Sequence, residues 1–159
     1  MRILARPVQA KKPRSVLAAQ VAYLYAGLIV LMVVAQLFSF DGFLGVLATY
    51  KLPFTVFSAY MIGALLVSSS VFALPFLLRM TVSEAFRAFS MVCSWLVAII
   101  WILLVGWLAS AAPPVETVGF LGDISLVPGW WMIFVALMLG ILAVWSSWGL
   151  WPGKRRAAK

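Results

Sequence analysis

Long uncharged runs separated by short polar segments make up most of this chain. No Asp, Glu, Lys or Arg occurs in residues 15–40, 52–78, 88–115 or 124–153. Each run exceeds the ~20 residues that an α-helix needs to cross a hydrocarbon core about 30 Å thick. Backbone groups in lipid must be satisfied within the segment, which makes helix the expected form. The pattern predicts an all-α, polytopic membrane protein with spans at 16–38, 56–78, 88–110 and 129–151. Residues 15–153 then form one transmembrane domain between two basic tails, 1–14 and 154–159.

The connections carry patterns of their own. In 39–53, Phe40, Phe43, Leu44 and Leu47 follow the i, i+3, i+4, i+7 spacing of one helical face. With Asp41 placed to cap it and Pro53 to end it, this segment reads as a short interfacial amphipathic helix at the outer membrane surface. The second connection is tight, and Thr81-Val-Ser-Glu84 has the spacing of a capping box for the third span. The third, 111–128, contains Pro113, Pro114, Gly119, Gly122, Glu116 and Asp123 and has no positive charge. Phe120, Leu121, Ile124 and Leu126 make it apolar for a loop, so it either folds over the bundle or contacts a partner.

Charge placement orients the spans. The chain has 12 Lys and Arg against 4 Asp and Glu. Arg2, Arg6, Lys11, Lys12 and Arg14 precede the first span, Arg79 and Arg87 lie in the second connection, and Lys154, Arg155, Arg156 and Lys159 follow the last. Only Lys51 falls on the other side. The positive-inside rule therefore places both termini in the cytoplasm, and the expected location is a bacterial cytoplasmic (inner) membrane. The first run is too long for a signal-peptide core and lacks a clean small-x-small site before Asp41, so it is read as a retained span. Basic residues clustered beside lipid-like runs point to headgroups rather than nucleic acid.

Composition narrows the chemistry. Hydrophobic residues make up 65% of the chain and charged residues 10%, where a soluble domain carries roughly a quarter charged. There is no His, and Cys93 is the sole cysteine, which excludes an internal disulfide and a Cys-x-x-Cys pair. The usual haem ligand, the commonest zinc ligand and the usual general base are missing. No catalytic residue, metal ligand or cofactor motif is assigned within this chain alone. No ionisable group lies deep in a span, which argues against a proton-coupled pump.

A few polar and small residues remain as candidates. Gln36 is the strongest polar group within a span, and Ser68, Ser69 and Ser70 precede Pro75, so either place can be a polar site or a kink. Ala18, Ala22 and Ala26, Ala59 with Gly63, and Ala136 with Gly140 are small residues at four-residue spacing, suited to close helix packing. Of the eight tryptophans, Trp130, Trp131, Trp148 and Trp151 fall where interfacial anchors belong. Trp101 falls near the midplane and needs an acceptor for its N–H. Cys93, in an apolar helix, reads as an inert thiol.

The order of parts resembles a family. A first span ending Ala35-Gln36-Leu37, a Phe-rich amphipathic segment, then Ala48-Thr-Tyr50-Lys-Leu-Pro53 leading into a second span, is similar to the DoxX/MauE-like small membrane proteins over residues 21–78. Many relatives carry Lys where Gln36 stands and an acidic residue where Ser68–Ser70 stand, so the chemistry of those charges does not carry over. The resemblance implies a four-helix bundle acting as an accessory subunit of a redox-linked membrane complex. Two other readings stay open: a small oligomeric transporter or channel for a neutral solute, and a subunit sharing a quinone or pigment site with a partner.

Overall fold

The structure is a computed structural model that describes residues 9–10, 12–111 and 115–151. Five helices are seen among the described residues: α1 (Val16–Phe38), α2 (Phe40–Thr49), α3 (Thr55–Leu77), α4 (Glu84–Ala111) and α5 (Trp130–Leu150). Four of them are long and apolar enough to cross a membrane, with the short apolar α2 between the first two. The protein is an all-α, multi-pass membrane protein by this measure.

The four long helices form a closed ring in which α1 packs on α3 and α5, and α4 packs on the same two. Along α1 the buried positions Ala18, Ala22, Tyr25, Ala26, Ile29, Met32, Val33 and Gln36 recur every three to four residues, the signature of one face turned inward. Along α4 the inward face runs Ser90, Ser94, Val97, Trp101, Leu104 and Leu108. The opposite faces carry Leu24, Leu31, Leu103, Phe134 and Ile141, all exposed from the protein and suited to lipid contact. α4 is 28 residues long, about 42 Å at 1.5 Å per residue, so it outruns the ~30 Å hydrocarbon core.

Helix ends correct two details of the sequence reading. Ser83, not Thr81, caps α4: its hydroxyl accepts from the Phe86 N–H at 3.2 Å, and Glu84 sits in the first turn rather than at the capping-box position. α2 has Ser39 as its N-cap with no side-chain hydrogen bond, so Asp41 lies in the first turn and does not cap. There the carboxylate still faces the positive end of the helix dipole. α3 closes with a Schellman turn, in which Arg79 takes φ 57° and the Met80 N–H donates to the Pro75 carbonyl at 2.9 Å.

α2 turns its apolar face onto protein. Phe43 and Leu47 are completely buried, Leu44 and Val46 nearly so, and Phe40 is half-buried. Gly63 on α3 gives this face room: a Cβ there would lie 2.6 Å from Leu44 Cδ2, so any larger residue would make the Leu44 side chain shift. Of the Ala59–Gly63 pair, Gly63 therefore faces α2, and Ala59 is buried one turn away. Gly140, where a Cβ would come 3.1 Å from Ile102 Cδ1, brings α5 onto α4.

Pro75 shows how the bundle repairs a broken helix. Proline has no N–H and its ring crowds the carbonyl four residues back, which opens the local turn. Ser90 of α4 fills the opening: its hydroxyl accepts from the Phe76 N–H at 2.9 Å and reaches the Phe72 carbonyl at 2.5 Å. The hydroxyl thus replaces a helical hydrogen bond and ties α3 to α4 at once. Replacing Ser90 by Ala is expected to cost about 1–2 kcal/mol, the range of one or two intramembrane hydrogen bonds. With Pro75→Ala, a regular turn no longer needs the hydroxyl, so the Ser90→Ala penalty should shrink in the double variant. Equal penalties in both backgrounds would show that the bridge does not depend on the proline.

Candidate functional site

The sequence candidates fall in two separate places. Gln36 lies at the α2 end of the bundle, whereas Ser69 is fourteen residues into α3, about 21 Å along the axis from that helix's start. The two do not form one polar site.

The end of the bundle that holds α2 is a sealed cap. Residues 115–128 run back across it and send Phe120 down between the helices, where its ring lies 4.3 Å from Trp101 and 5.9 Å from Trp131. Val118 and Phe120 are buried. Four side chains hold the segment through its backbone or pass the network on. Gln36 Nε2 donates to the Phe120 carbonyl at 3.3 Å, and the Tyr50 hydroxyl donates to the Val118 carbonyl. Trp107 Nε1 donates to the Tyr50 carbonyl at 2.9 Å, and the Ser39 hydroxyl accepts from the Asp123 N–H at 3.4 Å. Burial pushes the Tyr50 phenol above its ordinary range, so it stays a neutral donor at physiological pH. Thr117 and Ile124 add an internal clasp at 2.8 Å. Of the two outcomes open for this loop, the structure has it folded over the bundle. Pro113 and Pro114 lie outside the described residues.

Gln36 is buried to 1% exposure, and its Oε1 has no partner among the described residues. The amide therefore contributes one long hydrogen bond and bears one unmet acceptor. Gln36→Leu should stay within about 1 kcal/mol of the parent, since both terms vanish together. Gln36→Glu should be far worse at neutral pH, because a carboxylate would face the Phe120 carbonyl with no donor. It should recover partly as pH falls and the carboxyl protonates. Equal stability of the Glu variant at pH 5 and pH 8 would contradict this.

Two of the three α3 serines bond to their own helix. Ser68 Oγ donates to the Ala64 carbonyl at 2.6 Å, and Ser69 Oγ to the Leu65 carbonyl at 2.5 Å. Ser68 faces outward while Ser69 and Ser70 face the core. The polar bridges between helices come from residues the sequence reading passed over. Tyr25 reaches across the ring to the Ser94 carbonyl at 2.7 Å, and Trp95 Nε1 donates to Ser147 Oγ at 2.8 Å. A signal was available: Ser90 and Ser94 share the helical face of Val97 and Trp101, which marks them as inward.

Of the interfacial tryptophans, Trp130, Trp148 and Trp151 are exposed. Trp131 is turned in, with its ring on Phe120 and its Nε1 donating to the Val127 carbonyl at 3.0 Å. At the other end of the bundle, the Arg14 guanidinium lies 5.0 Å above the Trp148 ring. Trp148 also lines an open apolar groove of about 520 Å³ on the outer wall, formed with Ile102, Gly140, Ile141, Val144 and Trp145. No group of three or more His, Cys, Asp or Glu suited to a metal exists among the described residues.

No family model, no curated protein and no solved structure matches the chain.

Proposed function

We propose that this protein is a non-catalytic accessory subunit that packs against larger subunits of a membrane complex. One observation carries the reading: large aromatics stand outside the bundle, while polar side chains within the spans bond to the chain's own backbone and to one another, with only buried Gln36 Oε1 and Ser146 Oγ left without a partner among the described span residues. Tyr25, Ser69, Ser90 and Trp95 all bond within the chain. Phe38, Phe54, Phe57 and Trp130 project from the cap end, Phe38 at 93% exposure and Phe54 at 86%. Aromatics at such a rim offer large contact area at low entropic cost, which suits docking to another subunit. A redox-linked complex is the setting that the DoxX/MauE-like resemblance suggests.

The transporter reading needs a polar path, and of the three serines Ser68 and Ser69 have hydroxyls already spent on their own helix. Replacing all three by Ala would then leave any flux unchanged. The cytoplasmic placement of both termini, in an inner membrane, rests on eleven of the twelve basic residues lying at one end. A fluorescent protein fused after Lys159 should light up, and alkaline phosphatase at the same point should stay inactive; the reverse pattern would invert the topology.

The deciding experiment is mild extraction through a carboxyl-terminal tag, followed by native mass spectrometry and an absorbance spectrum. Stoichiometric larger subunits support the accessory role, and a bound quinone or pigment would identify the complex. A homogeneous homo-oligomer with no partner overturns it.

A further inference from the structure

The wall between α4 and α5 carries a groove whose shape and charge select one kind of occupant. Its floor is Gly140, which lacks a side chain to fill it, and its sides are Ile102, Ile141 and Val144. From Leu137 to Trp148 the lining runs eleven steps along α5, about 16 Å of helix axis. That matches half of a ~30 Å hydrocarbon core, the depth of a single leaflet. An unbranched hydrocarbon chain lying along the helix fits this length and its wholly apolar lining.

The groove is open toward lipid along its length and has a cation at one end. Arg14 is held there twice: its backbone N–H donates to the Gly149 carbonyl at 3.0 Å, and its guanidinium stacks over the Trp148 ring at 5.0 Å. A guanidinium set over an aromatic ring can still present its N–H edge to phosphate oxygens, and no hydrogen bond or ion pair engages that of Arg14 among the described residues. This is also the basic end of the bundle. Three of the chain's four carboxylates, Asp41, Glu116 and Asp123, lie at the cap end, while only Glu84 lies at the Arg14 end. A hydrocarbon slot one leaflet deep, closed by a fixed cation at headgroup level, is complementary to an anionic phospholipid.

We propose that the α4–α5 groove is a binding site for one anionic phospholipid, with an acyl chain along Gly140 and Val144 and the phosphate on Arg14. The site recognises charge through Arg14 and chain through the groove, and the two contributions separate by mutation. Val144 is half exposed on the wall, so a Val144→Trp change fills the groove without entering the core. Arg14→Gln removes the cation and keeps a side chain of similar length.

The test is native mass spectrometry of the full chain in neutral detergent, titrated with phosphatidylglycerol and phosphatidylcholine of identical acyl chains. The parent should bind the first phosphatidylglycerol more tightly, and Arg14→Gln should lower that preference about fivefold, the contribution of one basic residue at a headgroup. Val144→Trp should weaken both lipids alike. Protection of Cys93 from a maleimide, equal in all three proteins, verifies that each variant is folded. The proposal fails if Arg14→Gln leaves the preference intact. It fails equally if Val144→Trp leaves both affinities unchanged, or if the groove proves to be covered by a second copy, seen as a dimer that this substitution dissolves.

Discussion

Gly122→Ala is expected to lower the thermal midpoint by about 8 °C, the largest loss from adding a single methyl at the cap. Gly122 has φ 71°, a left-handed conformation that costs an L-residue roughly 1–2 kcal/mol. Space is the second difficulty. A Cβ at this position would lie 2.6 Å from Ser39 Oγ and 2.7 Å from the Ala35 carbonyl oxygen. The hydroxyl can rotate away, but the carbonyl belongs to the last turn of α1 and cannot move without unwinding it. Strain and overlap together come to about 3 kcal/mol, which for a chain of this length corresponds to roughly 6–12 °C. The loop would lift, drawing Phe120 off Trp101 and taking the acceptor from Gln36. Cys93 gives the readout, since it is the sole thiol and is buried, so its labelling by a maleimide dye on heating reports unfolding. Gly27→Ala and Gly106→Ala are the controls. A Cβ at either meets nothing within 4 Å, so both should raise the midpoint slightly through helix propensity. A Gly122→Ala midpoint equal to these controls would mean that the loop is not seated on Ala35.

The contrast between these glycines shows what was legible in the chain. Uncharged runs of spanning length set the number of helices, because the cost of a buried charge in lipid leaves a mark on composition alone. α2 was equally visible through the spacing of Phe43, Leu44 and Leu47. Its direction was not. An apolar helical face reads the same whether lipid or protein covers it, and the room that Gly63 leaves for Leu44 on α3 shows only once the helices are packed. Gly122 likewise stood in the loop as one glycine among several, and the lack of room for a side chain there comes from Ala35, eighty-seven positions away.

Polar residues followed the same rule. Serine in a span signals a hydrogen bond but not its partner. Ser68–Ser70 stood out as a triplet, of which Ser68 and Ser69 serve their own helix, whereas the isolated Ser90 repairs the turn that Pro75 opens. The proline gave the clue, since an opened turn in lipid requires a donor or acceptor from a neighbour. Naming that neighbour requires the packing of α3 on α4. The loop 115–128 was ambiguous for a related reason: its apolar side chains needed cover, and Phe120 finds it on Trp101 inside the same chain.

At the opposite end, α1 and α5 come closest at Gly149 and Ala18, and Gly149→Ala is expected to force them apart there. A Cβ on Gly149 would collide with the Ala18 methyl and come 3.4 Å from Ala18 Cα. Neither atom can rotate away, so the two backbones must separate. The last turn of α5 is not free to fray in response, since Ser147 is held by Trp95 Nε1 at 2.8 Å and accepts from the Trp151 N–H at 3.0 Å. Overpacking of this kind costs about 3 kcal/mol, the upper end for one inserted methyl. Ala18→Gly should cost about 1 kcal/mol alone, from helix propensity. Combined with Gly149→Ala, however, it vacates the space the new methyl needs. The double variant should therefore be more stable than Gly149→Ala by itself, an interaction of opposite sign to simple addition. Cys93 labelling across the four proteins measures it. Additive losses would mean that the helices meet elsewhere. Rescue would show that Ala18, the first of the three small residues on α1, works within the bundle, and that the same contact fixes the position of Arg14 over Trp148.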